Sequence, residues 1–205
     1  LDIEQHSQLP EAVAKVIKHF GYLNVLINNA GVSQRELAQN TQLAVDQRIM
    51  NINYMGAVAL TKAVLPHFLH QQFGQFVVIS SVMGKIGVPY RSAYAASKHA
   101  LHGFFDSLRA ELSRENIKIT IICPGYVHTN VTLNALRGDG SKNNQMADST
   151  RFGLEPDVFA QKALQAIARE KKEVVIAGAK ESFALYLKRF LPTLYFQAVA
   201  QMKLS

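Results

Sequence analysis

A phenol, an ammonium and a hydroxyl stand at spacings that can surround one reacting carbonyl. Tyr94 precedes Lys98 by four residues and follows Ser81 by thirteen. Residues at i and i+4 share one face of a helix, so a helix over 92–114 presents Tyr94 and Lys98 together. An ammonium beside a phenol favours the phenolate and draws the phenol pKa from about 10 toward working pH. Ser81 follows the apolar run Phe76-Val77-Val78-Ile79, where a loop leaving a strand can aim a hydroxyl at a substrate oxygen. Such a trio suits general acid–base work on a carbonyl–alcohol pair. A tyrosine and a lysine at this spacing also occur on ordinary helix surfaces, so the pair alone decides nothing.

Three further signals stand in order along the chain. Asn28-Asn29-Ala30-Gly31 closes the apolar run Val25-Leu26-Ile27, and Asn53-Tyr54-Met55-Gly56 lies inside a helical stretch. Pro124-Gly125, followed by Thr129, closes Ile119-Thr120-Ile121-Ile122. With Ser81, Tyr94 and Lys98, these motifs resemble the short-chain dehydrogenase/reductase family over residues 1–177. Within that family, 86–134 and 186–196 look most like the dehydrogenase/reductase member 7B group.

The resemblance implies an NAD(P)(H)-dependent oxidoreductase that interconverts a carbonyl and an alcohol on a small molecule. It makes Tyr94 the acid in reduction and the base in oxidation. Lys98 would lower the Tyr94 pKa and hold the nicotinamide ribose, and Ser81 would bind the substrate oxygen. Asn53 would hold a water linking Lys98 to solvent; read alone, it is a helix-capping or kink-stabilising amide, and only the company of the other motifs puts the water role ahead. Asn29, Ala30 and Gly31 would pass beneath the adenosine ribose, and Asp2 would accept from the adenine amine. Val127 and Thr129 would bind the nicotinamide carboxamide. The nearest group favours NADP(H) over NAD(H). Family members assemble as homodimers or homotetramers through two long helices, here near 42–72 and 92–114.

The positioning elements follow from hydrophobic period and punctuation. Helices are expected over 9–20, 42–72, 92–114 and 156–170, with a disturbance at Pro66. Strands are expected over 22–28, 74–80, 117–123 and 173–177. The apolar stripe of the first helix is Ala12, Val13, Val16, Ile17 and Phe20, and that of the last is Val158, Ala160, Ala163, Leu164 and Ile167. Strands alternating with helices predict an α/β fold, a Rossmann-like doubly wound parallel sheet. It lacks the first strands and helices of that fold. The only near-match to a glycine-rich phosphate turn, Gly138-Asp139-Gly140, has Asn143 at the third glycine position and follows no strand. Leu1-Asp2-Ile3 resembles the end of the family's third strand, which puts the missing portion at roughly 60 residues. Either the chain is a fragment of a full enzyme, which the intact active-site half favours, or it is a short product. In the second case it is a catalytically silent fragment acting through dimerisation, with the strand at 22–28 as an unpaired sheet edge.

Length predicts one domain over 1–205, with an apolar tail over 181–202; the family resemblance implies that the irregular stretch 124–153 is its substrate loop. Tyr126, Val127, Val131, Leu133 and Leu136 give the loop an apolar lining, which suits a lipophilic substrate; a short helix over 131–137 fits inside it. The tail is read as core packing, a dimer surface or an interfacial helix, with membrane contact placed last. Cys123 is the one cysteine. No internal disulfide can form, which points to a reducing, cytoplasmic setting, with membrane association of a longer form left open. Apolar neighbours should keep Cys123 a thiol. The net charge of +7 is scattered, with no basic stripe interleaved with aromatics, so nucleic acid is not an expected partner. His67 and His70 lack a carboxylate or cysteine to complete a metal set, and no metal is expected. His99 and His102 are read as facing neighbouring elements or solvent. Ser81 lies outside any nucleophile elbow, which argues against a hydrolase.

Overall fold

The computed structural model describes residues 1–146 and 148–202. Ala147, inside the expected substrate loop, and 203–205, at the end of the expected domain, lie outside the described residues. The chain forms a parallel sheet of four strands in the order β1-β2-β3-β4: β1 Val25–Asn28, β2 Gly74–Ile79, β3 Ile117–Pro124 and β4 Glu173–Ile176. Eight α-helices accompany the described strands: α1 Leu9–Phe20, α2 Leu43–Met50, α3 Gly56–Gln71, α4 Ser92–Glu111, α5 Asp148–Arg151, α6 Pro156–Ala168, α7 Ala179–Phe190 and α8 Pro192–Ala200.

Alternation along the strands builds two layers. Phe76, Val78, Ile117, Ile119, Ile121 and Cys123 join Val64, Phe68, Leu101 and Phe105 of α3 and α4 in one core. The intervening Val77 and Ile122 join Ile176 and Ala163 of α6 on the other face. Strands covered on both faces read as continuous apolar runs, which is why β2 and β3 were legible. Punctuation also behaves as expected. Pro10 and Pro156 sit in the first turns of α1 and α6, and Gly21 closes α1 at φ 78° with its N–H donated to Ile17 O.

Several expectations need correction. The helix over 42–72 is not disturbed at Pro66, through which α3 continues; it widens into a π turn at Asn51–Met55. The cause is Asn53, whose side chain is drawn to groups outside the helix. The first strand starts at Val25, not at residue 22. In α1, Val16 and Phe20 are exposed, and in α6, Val158, Ala160 and Leu164 are exposed while Phe159 and Ala166 turn inward. The inward stripe of α6 thus keeps Ala163 and Ile167 but takes Phe159 and Ala166 in place of the other three. No helix forms over 131–137. Leu136 instead bridges Gln34 and Lys142, its N–H donated to Ser33 O and its carbonyl accepting from Arg35. Backbone groups committed across the chain cannot also close a helical turn.

Candidate active site

Helix α4 carries both Tyr94 and Lys98. Its first turn is not capped by its own N-cap residue; the buried Gln34 does this from a distance, its Oε1 accepting from Ala93 N at 2.8 Å and Tyr94 N at 3.4 Å. Its last turn is closed by Leu112. One turn past Tyr94, Lys98 is 5% exposed. Its Nζ donates to Ile79 O at 2.8 Å, so the ammonium is fixed at the end of β2, and it stands 5.9 Å from the Tyr94 ring centroid. Ser81 is the residue after that strand end but one. It is extended and buried, and its Oγ accepts from Met83 N at 3.1 Å.

Asn53 is 1% exposed. Its Oδ1 accepts from Val32 N at 2.8 Å, and its Nδ2 donates to Val32 O at 2.9 Å and Ser97 Oγ at 3.0 Å. The amide thus ties the loop after β1 to α4 through the π turn, as the kink-stabilising reading has it. Both of its N–H donors are committed in this way.

Ser81, Tyr94 and Lys98 line a common cleft of about 420 Å³ with Asn29, Gly31, Val127 and Thr129. A smaller recess of about 60 Å³ extends from Ser81 and Tyr94 toward Arg91, Tyr126, Val127, Val131 and Thr132. Three expected site residues do not line this cleft: Asn53, which is buried behind it, Ala30 and Asp2. Ala30 borders a separate crevice with Ile3, Ala57 and Leu60. Asp2 is exposed, and its Oδ1 accepts from Glu4 N at 3.0 Å. Leu136 is also off the recess: it is buried against Val45, Ile49 and Ala93.

The electrostatics differ from the simple Tyr–Lys expectation. Burial pushes the Tyr94 phenol upward, opposed by its hydrogen bond with Ser81 and by the charge of Arg91. The same burial weakens the Lys98 ammonium, whose pKa falls to about 8.

The sequence model described as short chain dehydrogenase matches residues 1–139. The chain belongs to the short-chain dehydrogenase/reductase family. It is 46% identical over 199 residues to dehydrogenase/reductase SDR family member 7B of Bos taurus, covering 97% of this chain and 61% of that protein. The Mus musculus counterpart is 44% identical, with 97% and 62% covered. The chain therefore spans about three fifths of the length of these curated relatives. Among solved structures, a Burkholderia phymatum short-chain dehydrogenase/reductase in complex with NAD superposes with a TM-score of 0.83 at 20% identity, over 100% of this chain and 78% of that one, a likeness of fold. ElxO with NADP bound is 34% identical over 62% of this chain and 52% of its own, with a TM-score of 0.60.

Some polar positions escaped sequence reasoning. Gln34 and Ser97 fix α4, yet neither follows a motif. Arg91 is 7% exposed at the recess and donates to Ser33 Oγ; it was visible only as one residue between a loop and a helix. His102 faces neighbouring elements, one of its two expected settings, but the particular group it meets there, Ser80, Cys123 and Glu173, left no mark in the sequence. Burial does keep Cys123 a thiol, with its pKa pushed up to about 12.

Proposed function

We propose that the chain carries the catalytic half of an NAD(P)(H)-dependent oxidoreductase acting on a carbonyl–alcohol pair of a lipophilic small molecule. The observation that carries this reading is the meeting of Tyr94, Lys98 and Ser81 at one cleft. The cleft suits the nicotinamide end of a dinucleotide. Gly31 lets the backbone come close there, since an added Cβ would stand 3.1 Å from Asn53 Oδ1 and 3.6 Å from Lys98 Nζ. Val127 and Thr129 border the same space. The fit ends there, because no glycine-rich turn in this sequence serves a pyrophosphate.

A bound nicotinamide would supply or accept the hydride. Tyr94 gives its phenolic proton to the carbonyl oxygen in reduction and recovers it in oxidation. Ser81 donates to the same oxygen and shares its developing charge. Lys98 holds the ribose hydroxyls and offsets negative charge on the Tyr94 oxygen. Asn53 acts through position, by fixing the Val32 loop against Ser97. Val131 and Tyr126 give the recess apolar walls.

The test is a titration of the chain with NADPH and NADH followed by nicotinamide fluorescence. A carbonyl screen with Tyr94→Phe as control comes next. Micromolar binding with turnover lost in Tyr94→Phe supports the proposal, and tighter NADPH binding would assign the preference for NADP(H). No binding at millimolar cofactor overturns it for this chain.

A second reading draws on the sheet edge. β1 pairs only with β2 among the described strands, and Val25 and Ile27 are exposed on it. An open edge of this kind pairs readily with another strand. A concentration-dependent dimer with no cofactor binding would favour that role.

A further inference from the structure

One turn beyond Lys98 on α4, three residues of metal-ligating type converge from three separate elements. His102 comes from α4, Cys123 from β3 and Glu173 from the start of β4. One donor atom from each lies within 4.8 Å of the others. We propose that His102, Cys123 and Glu173 form a binding site for a soft divalent cation of the zinc class. The proposal stands apart from the oxidoreductase reading and uses none of its residues.

The distances suit a tetrahedral ion. Cys123 Sγ lies 3.6 Å from His102 Nε2. Bonds of about 2.3 Å to sulfur and about 2.0 Å to nitrogen place the two ligand atoms about 3.5 Å apart on a tetrahedron. Ser80 Oγ is 2.9 Å from the same Nε2 and stands where a hydroxyl or water would complete the coordination. Glu173 approaches from the other ring nitrogen, its Oε2 3.5 Å from Nδ1. Its side chain is 38% exposed, and ligation requires that carboxylate to leave Nδ1 and Lys85 and swing toward Cys123. Glu173 also lines a broad cleft beneath α7 with Lys85, Leu185 and Tyr186.

The donor set is chemically consistent. Burial and the Lys85 charge hold His102 below its ordinary pKa. Binding breaks the Cys123 S–H bond, forms the sulfur–metal bond and releases that proton to solvent, so affinity rises with pH. Lys85 is the competitor, its Nζ paired with Glu173 Oε2 at 2.8 Å.

The test titrates the chain with cadmium, following the ultraviolet thiolate-to-metal absorption, and with zinc by calorimetry. One ion per chain is expected, with the thiolate band present. Cys123→Ser, a substitution of nearly equal volume, should abolish the band and weaken zinc at least tenfold. His102→Gln should weaken zinc by a similar factor. Lys85→Ala should bind severalfold tighter, because Glu173 is released. Absence of a thiolate band overturns the site. So does zinc binding unchanged by Cys123→Ser, which would place the ion on exposed histidines. Equal affinity in Lys85→Ala would remove Glu173 from the ligand set and overturn the three-ligand site. Melting curves of each variant confirm that the fold is retained.

Discussion

The side-chain oxygen of Gln34 accepts a hydrogen bond from the backbone N–H of Tyr94 at 3.4 Å, alongside a shorter one from Ala93 at 2.8 Å. The first turn of α4 is therefore held by a residue on the loop after β1. That same loop is pinned by Asn53 at Val32, so one assembly sets both the start of α4 and the cleft wall.

Gln34→Leu tests this arrangement. It leaves buried amides at the α4 N-terminus unpaired, and loss of a cap costs about 1–2 kcal/mol. Urea denaturation should show that loss. In a cofactor-linked assay, kcat should fall more than KM rises, because Tyr94 is displaced without loss of its chemistry.

Tyr94→Phe removes only the phenolic oxygen. Loss of an acid–base group slows turnover by about 10² to 10⁴-fold. The melting temperature should stay near that of the parent chain, since the ring and its packing remain. Turnover within tenfold of the parent would show that the proton comes from another group.

Lys98 links function to stability with a definite sign. Its folded pKa of about 8 lies below its ordinary 10.5, so the unfolded chain binds more protons between those values. Stability is thus depressed below pH 8 and recovers as pH rises toward 10.5. Lys98→Met should be more stable than the parent at pH 7, on the order of 1–3 kcal/mol, with the gap closing above pH 10. The same variant should lose activity. Denaturation curves at several pH values check the sign, and a variant less stable at pH 7 would contradict it.

Asn53→Ala strips partners from Val32 N–H and C=O and from Ser97. Each buried group left unpaired costs about 1–3 kcal/mol. We expect a clear loss of stability and faster amide exchange in the 31–35 loop, measured by hydrogen–deuterium exchange. Exchange unchanged in that loop would mean that the π turn is held by other contacts.

Gly74→Ala probes the packing beneath β2. Its added methyl would collide with the Phe68 ring, which is fully buried and tilted against Phe76 at 4.7 Å. Overpacking of this kind costs about 1–3 kcal/mol, readable as a lowered urea midpoint.

Much of this protein was decided by local pattern. The order of strands and helices, the termini at Pro10, Gly21 and Pro156, and the shared face of Tyr94 and Lys98 all follow from period and backbone restriction, which act within a few residues. Three-dimensional packing decided the rest. Gln34 caps a helix from 59 residues away, and Asn53 opens a π turn because its partners lie on other elements. Leu136 leaves the substrate loop for the core because its backbone bridges Gln34. His102 meets Cys123 and Glu173 only once β3 and β4 pair behind α4. Hydrogen bonds and packing between distant positions leave no periodic trace in a chain, so these groups are created by the fold that brings them together.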